Sequence, residues 1–161
     1  MSDRASKHGP LGPALRRAWV AYQRQLDDAM ADAGFGPRRF PDARVLRMCQ
    51  RTPEITTSQI GRELGITRQG ASKVVASLRE RGYVTLKPSP TSGREKIVAV
   101  TQRADEYLAA QRKAARAIET RLRRAVGADA FDGLYRLLDA MGIDEDLRMR
   151  DYLREMGVRE L

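Results

Sequence analysis

Arg68, Gln69, Ser72 and Lys73 are the side chains whose types and spacing best suit recognition chemistry. Separations of one, three and four residues put them on one face of a helix. Guanidinium and ammonium groups donate hydrogen bonds to guanine, a carboxamide pairs with adenine through two bonds, and a hydroxyl serves either. Gly70 and Ala76 lie among them, and their small size is expected to permit close approach. Thr57, Ser58 and Ser77 are candidate phosphate partners, which fix position without reading sequence. Arg94 and Lys96 follow the turn-rich run Pro88 to Gly93 and form a second cationic set, with Arg94 suited to a narrow minor groove and Lys96 to phosphate. Bond-making chemistry has little to draw on. The chain holds one histidine, His8, and one cysteine, Cys49, so no metal cluster, cofactor site or catalytic triad is expected and the chain is not read as an enzyme. Gly34 and Gly36 end a helix ahead of Pro37 and do not make a phosphate loop.

Positioning the recognition set requires two short helices and a hairpin. Thr56 with Gln59 three residues on has the form of a capping box, Ile60 and Leu64 point inward, and Gly65 ends that first helix. Thr67 caps the second, whose inward side is Ala71, Val74, Val75 and Leu78, and Gly82 stops it. Two helices joined by a tight turn are a helix-turn-helix, whose second helix enters a major groove. Tyr83 to Leu86 and Ile97 to Val100 are expected to form an antiparallel hairpin, which makes a wing.

Long amphipathic segments flank this centre. Leu15, Ala18, Trp19, Tyr22, Leu26, Ala29, Met30 and Ala33 form one helical stripe. A short helix from about Pro41 turns Val45, Leu46 and Cys49 inward, and Thr52-Pro53 closes it. Thr101 caps a helix running to about Val126 with the stripe Leu108, Ala115, Ile118, Leu122 and Val126. Gly127 interrupts, Asp129 is expected to cap again, and Phe131, Leu134, Leu138 and Met141 make a further face. Met149, Tyr152, Leu153 and Met156 suggest a last helix. The fold class expected is mainly α (α+β). Residues 1–12 are a flexible arm, 13–36 an N-terminal dimerisation helix, 37–101 a winged helix-turn-helix domain and 102–161 a helical dimerisation region.

Composition agrees. The 161 residues are 42% apolar and 32% charged, with a net charge of +9 and a pI of about 10.3. Thr56 to Arg103 hold nine basic residues against three acidic ones, so +6 of the +9 falls on the expected reader. A basic excess concentrated in this way favours double-stranded DNA as partner. A lone cysteine and no apolar leader or membrane-length run suit the cytoplasm and argue against a membrane partner. Two alternatives are a winged-helix protein-interaction module without DNA binding and a regulator that senses oxidants through Cys49. Cys49 reads as a buried structural thiol, given its place beside Val45 and Leu46.

The stretch from Ile60 to Val84, IGRELGITRQGASKVVASLRERGYV, resembles the reader helices and strand start of the MarR family. Ser92-Gly93-Arg94 through Val100-Thr101 is similar to that family's wing, with Ser92 in place of the usual aspartate and Ala104 in place of a glycine. The resemblance implies a homodimer built from the first and last helices, with Leu15, Trp19, Tyr22, Leu122 and Leu138 as candidate dimerisation residues. It also implies a transcriptional regulator, usually a repressor, on a palindromic operator whose half-sites lie about one helical turn apart. Many members of the family take small aromatic or lipophilic effectors. Trp19, Tyr22, Met30 and Met48 are candidates to line such a cleft, although aromatic and Met residues at helical spacing more often form core.

Overall fold

A computed structural model describes residues 9–90 and 95–142. In chain order the elements are α1 (Leu11–Asp32), α2 (Asp42–Arg51), α3 (Thr57–Leu64), α4 (Arg68–Glu80), β1 (Val84–Pro88), β2 (Lys96–Val100), α5 (Gln102–Val126) and α6 (Ala128–Ala140). The elements follow the mainly helical, winged helix-turn-helix order expected from the sequence. The chain divides into two units, one from the residues up to Arg38 with Ala110–Phe131, the other from Arg39–Ala109 with the residues from Asp132 on.

The second unit holds the reader. Its α3 starts with the expected capping box: the Gln59 amide donates to Thr56 Oγ1 at 3.3 Å, and the Thr56 amide donates to Gln59 Oε1 at 2.7 Å. Two of the donors that a helix start would otherwise leave unpaired are thereby satisfied. Gly65 ends α3 at φ 66°, a left-handed conformation that glycine adopts without steric cost. Thr67 then caps α4, its hydroxyl accepting the Gly70 amide at 3.0 Å. The two helices meet closely: a Cβ on Gly61 would lie 3.3 Å from the Cβ of Ala71.

Hydrophobic burial sets the orientation of these elements. Leu46, Ile60, Leu64, Ala71, Leu78 and Val98 are fully enclosed, with Val45, Val84, Tyr107 and Leu108 beside them in the same core. Each large aliphatic side chain removed from water contributes roughly 1.5–3 kcal/mol. Val74 is half-buried, against the expectation that it faces inward, because it sits at the edge of the apolar arc of α4. β1 and β2 pair antiparallel, with Val84 opposite Val100 and Leu86 opposite Val98. The sheet gains a third contributor not expected from the sequence: Thr56 bridges Ile97, and the Val98 amide donates to Ile55 O at 2.9 Å. The start of α3 is thus tied to the wing. Thr101 closes the hairpin, donating from its hydroxyl to Gly82 O at 2.7 Å and accepting the Ala104 amide at 3.4 Å as α5 begins.

A buried ion pair fixes the far end of α4. Arg81 donates to both carboxylate oxygens of Asp42, at 2.5 and 2.8 Å, and its guanidinium lies 5.3 Å from the centre of the Tyr83 ring. Hydrogen bonding to Asp42 raises the Arg81 pKa above its ordinary value against the opposing effect of burial.

In the first unit, Leu26 of α1 packs with Ala114 and Ile118 of α5, and Tyr22, Ala29 and Ala115 surround that cluster. Arg38 holds the C-terminal part of α1 through Asp27 at 2.8 Å and through Gln23. The helix starts two residues before the expected residue 13 and ends at Asp32, four before residue 36. Gly127, at φ +85°, separates α5 from α6, and Asp129 lies in the first turn of α6 rather than at its cap, because the helix starts at Ala128. No helix among the described residues is long and apolar enough to cross a membrane. The arm up to residue 8 and the suggested last helix around Tyr152 lie outside the described residues.

Arg81→Ala leaves the Asp42 carboxylate, whose side chain is 4% exposed, without its cation. Loss of one partner of a buried pair costs about 3–5 kcal/mol. The partly exposed position of Arg81 places the expected loss near 3 kcal/mol, measurable as a lower urea midpoint at unchanged slope.

Candidate nucleic-acid interface

The recognition set is assembled by one helix. With Ala71, Val75 and Leu78 of α4 seated in the core, Arg68, Gln69, Ser72, Lys73 and Ala76 are all exposed on its opposite side. Gly70 departs from the expectation. It is buried, because α4 starts with its amide bound to Thr67, so it serves helix packing and offers no surface for close approach. Ala76 alone supplies a small exposed position within the set.

Thr57 and Ser58 stand half-buried in the first turn of α3. They line one groove together with Arg68, Ser72 and Arg79 of α4 and Lys96 of β2. Leu86 and Glu95 belong to the same lining. The hydroxyls of Thr57, Ser58 and Ser72, two guanidiniums, one ammonium and the positive end of a helix dipole suit a phosphate, and Glu95 limits how many anions the groove can take. The structure therefore brings Thr57, Ser58, Arg68, Ser72 and Lys96 to one place, and it adds Arg79, whose charge was visible in the sequence but which drew no role there.

Ser77 lies elsewhere. It is half-buried, and its hydroxyl accepts from Arg39 and Arg81, each at 3.4 Å. Arg39 precedes the reader in sequence by 38 residues from Ser77 and carries no local pattern that would reveal it. Arg94 lies outside the described residues, as does Ser92.

The candidate dimerisation residues stand partly open. Trp19 is 47% exposed, Leu122 39% and Leu138 36%, whereas Leu15 and Tyr22 are half-buried. Trp19 and Tyr22 stack with ring centres 6.1 Å apart. Of the residues considered for an effector cleft, Met30 is fully enclosed and Met48 nearly so, which fits core packing.

Cys49 is 2% exposed on α2, and burial pushes its thiol up to about 11. Oxidant sensing needs an exposed thiolate. The redox-sensing alternative is therefore set aside: at neutral pH this thiol stays protonated and enclosed.

A helix pair with a capped, outward-facing polar second helix, followed by a two-stranded wing, defines a winged helix-turn-helix protein. Comparison with known proteins narrows the class. Residues 36–95 match the model of the MarR family. The HTH-type transcriptional repressor Mb2911 of Mycobacterium bovis is 24% identical over 135 residues, covering 84% of this chain and 95% of that protein. Among solved structures, the transcriptional repressor CouR bound to a 23-mer DNA duplex is 26% identical, with a TM-score of 0.60 over 83% of this chain and 93% of that one. The Mycobacterium tuberculosis MarR family protein Rv2887, in complex with salicylic acid, is 23% identical, with a TM-score of 0.56 over 85% and 99% of the two chains. The chain thus shares the winged helix-turn-helix fold of these proteins, and its reader segment is similar to that of the MarR family.

The enclosed thiol gives a direct chemical expectation. Iodoacetamide at pH 7 should leave Cys49 of the folded chain unmodified while alkylating it in denaturant, as read by intact mass; rapid native alkylation would contradict both its burial and its raised pKa.

Proposed function

We propose that this chain is a regulator of the MarR family, a homodimeric repressor that reads a palindromic operator with α4 and is released by a small aromatic or lipophilic effector. The observation that carries the proposal is the division of α4 into an apolar side held by the core and an exposed polar side of Arg68, Gln69, Ser72 and Lys73. In this assignment those four side chains meet base edges in the major groove. Thr57, Ser58, Arg79 and Lys96 hold phosphates on either side, Ser77 lends a further backbone contact through its arginine neighbours, and Arg94 enters the minor groove.

Dimerisation is supported by the exposed apolar side chains of α1, α5 and α6, among them Trp19, Leu122 and Leu138. Exposed side chains of that size are expected to be covered by a second copy. Two readers related by a two-fold axis imply half-sites about one helical turn apart. Effector release is supported by the salicylic acid complex of Rv2887. A cytoplasmic location accompanies this role. The rival protein-interaction module is disfavoured because α4 exposes six polar side chains and only Ala76 as an apolar one, where a protein interface would present aromatic or aliphatic anchors.

Selection of bound fragments from random duplex DNA should yield a two-fold symmetric sequence. On that duplex, Gln69→Ala and Lys73→Ala are each expected to cost about 1–3 kcal/mol and to relax preference at particular base pairs. Equal weakening on every sequence would move those residues to phosphate contacts, and failure to enrich any sequence would sink the proposal. Arg94→Ala should weaken binding most where A/T-rich flanks narrow the minor groove, as measured by titration against paired duplexes with A/T-rich and G/C-rich flanks. Equal losses on the two would show that the wing does not insert.

A further inference from the structure

The second half of α5 carries a charge pattern that the reader does not use. Residues 110–126 contain six basic residues, Arg112, Lys113, Arg116, Arg121, Arg123 and Arg124, and one acid, Glu119. At 100° per residue all six fall within about half of the helix circumference, an arc that reaches from Arg112 to Arg121, the last of them beside the buried Ala114. All six are exposed. Arg116, Arg121 and Arg124 line a surface depression together with Ala117 and Thr120.

A merely solvated helix face usually mixes charge signs three and four residues apart, which stabilises the helix. Here Glu119 alone supplies an opposite charge at these spacings, toward Arg116 and Arg123, and the remaining neighbours repel. Arg112 and Arg116, Lys113 and Arg116, and Arg121 and Arg124 are like-charged pairs at these spacings. Each costs a few tenths of a kcal/mol in an isolated helix. Arg121 donates to Gln25 and Arg123 lies over the Phe131 ring, but no acid among the described residues pairs with Arg112, Lys113, Arg116 or Arg124. An arrangement of this kind gains most from a dense external anion.

We infer that this stripe is a second, sequence-independent docking surface for the sugar–phosphate backbone of duplex DNA. DNA carries about one negative charge per 1.7 Å of axis, and the stripe from Lys113 to Arg124 extends roughly 16 Å at 1.5 Å per residue. The chemistry between the cations separates DNA from other polyanionic partners. A membrane-surface helix flanks its basic residues with Trp, Phe or Leu that enter the lipid, and a protein interface offers apolar anchors. Only Ala117 and Thr120 lie in this depression between the arginines. The surface deepens the regulatory role proposed above by adding affinity without selectivity, yet its chemistry does not depend on how α4 reads bases.

The test uses the full chain and the doubly neutralised variant R116Q/R124Q, both checked for mass in solution by sedimentation. Binding to a random-sequence duplex is titrated across a range of salt concentrations. Each neutralised phosphate contributes about 0.9 to the slope of log affinity against log salt. The variant is expected to lose about 1.8 of that slope per chain, with the preference for a selected operator over the random duplex unchanged. An unchanged slope overturns the inference. A variant that alters the oligomeric state also overturns it, since the stripe is then covered by another copy of the chain. Failure of the base-reading assignment is separately visible, because Lys73→Ala would then leave operator preference intact whatever the stripe does.

Discussion

The close seating of α4 on α3 governs the rest of the reader. Gly61 and Ala71 allow the two helices to approach until a single added carbon at Gly61 would touch the Ala71 methyl at 3.3 Å. That contact, together with Val75 and Leu78 in the core, determines which side of α4 is left for solvent. Rotation of α4 by one residue, about 100°, would carry Gln69 and Lys73 toward the core and bring apolar side chains out. Burial of those polar groups without partners costs roughly 1–3 kcal/mol each, so the observed rotation is strongly selected. The outward presentation of the polar side chains therefore originates in an apolar contact on the other side of the same helix.

Two local devices hold that rotation at the ends of α4. At its start, Thr67 accepts the Gly70 amide, which sets where the helix begins and encloses Gly70. At its end, Arg81 joins Asp42 of α2, while the Tyr83 ring lies beneath the guanidinium and meets Tyr107 of α5 with centres 5.0 Å apart. The wing is tied in from the other direction, because Ile55 and Thr56 bond to β2 just before α3 begins. A phosphate held by Thr57, Ser58 and Lys96 would accordingly meet side chains whose backbones are already joined, so little ordering would be required on binding.

Much of this was legible in the sequence, and the reasons are physical. Capping boxes, helix stops and apolar periodicity are local, so Thr56 with Gln59, Gly65, Thr67 and the inward Ile60, Leu64, Ala71 and Leu78 could be read from neighbours alone. The exposure of Arg68, Gln69, Ser72 and Lys73 followed from the same periodicity. What escaped was long-range or depended on a boundary. The Thr56–Ile97 bridge, the Asp42–Arg81 pair and the approach of Arg39 to Ser77 join residues about 40 apart, and nothing in the intervening sequence encodes them. Gly70 was misplaced because glycine has no side chain whose polarity reveals its face. Arg79 drew no role because its relation to Thr57 and Lys96 exists only once two helices and a strand converge.

The two halves of α5 place different demands on one element. Its first turns supply Ala104, Tyr107 and Leu108 to the reader core, where all three are enclosed. Its later turns bury only Ala114 and Ile118 with the α1 cluster and leave Leu122 and Val126 open. The apolar stripe thus continues past the residues that α1 covers, while all the cations but Arg121, which bonds to Gln25, keep away from it. A single helix consequently presents an apolar edge suited to a second copy and a basic edge suited to a polyanion. Mixing the two would weaken both, since a cation carried into a subunit contact must be desolvated or paired. The segregation of Arg112, Lys113, Arg116 and Arg124 away from Leu122 avoids that conflict, so the proposed dimer contact and the proposed backbone contact would not compete for the same surface of the helix.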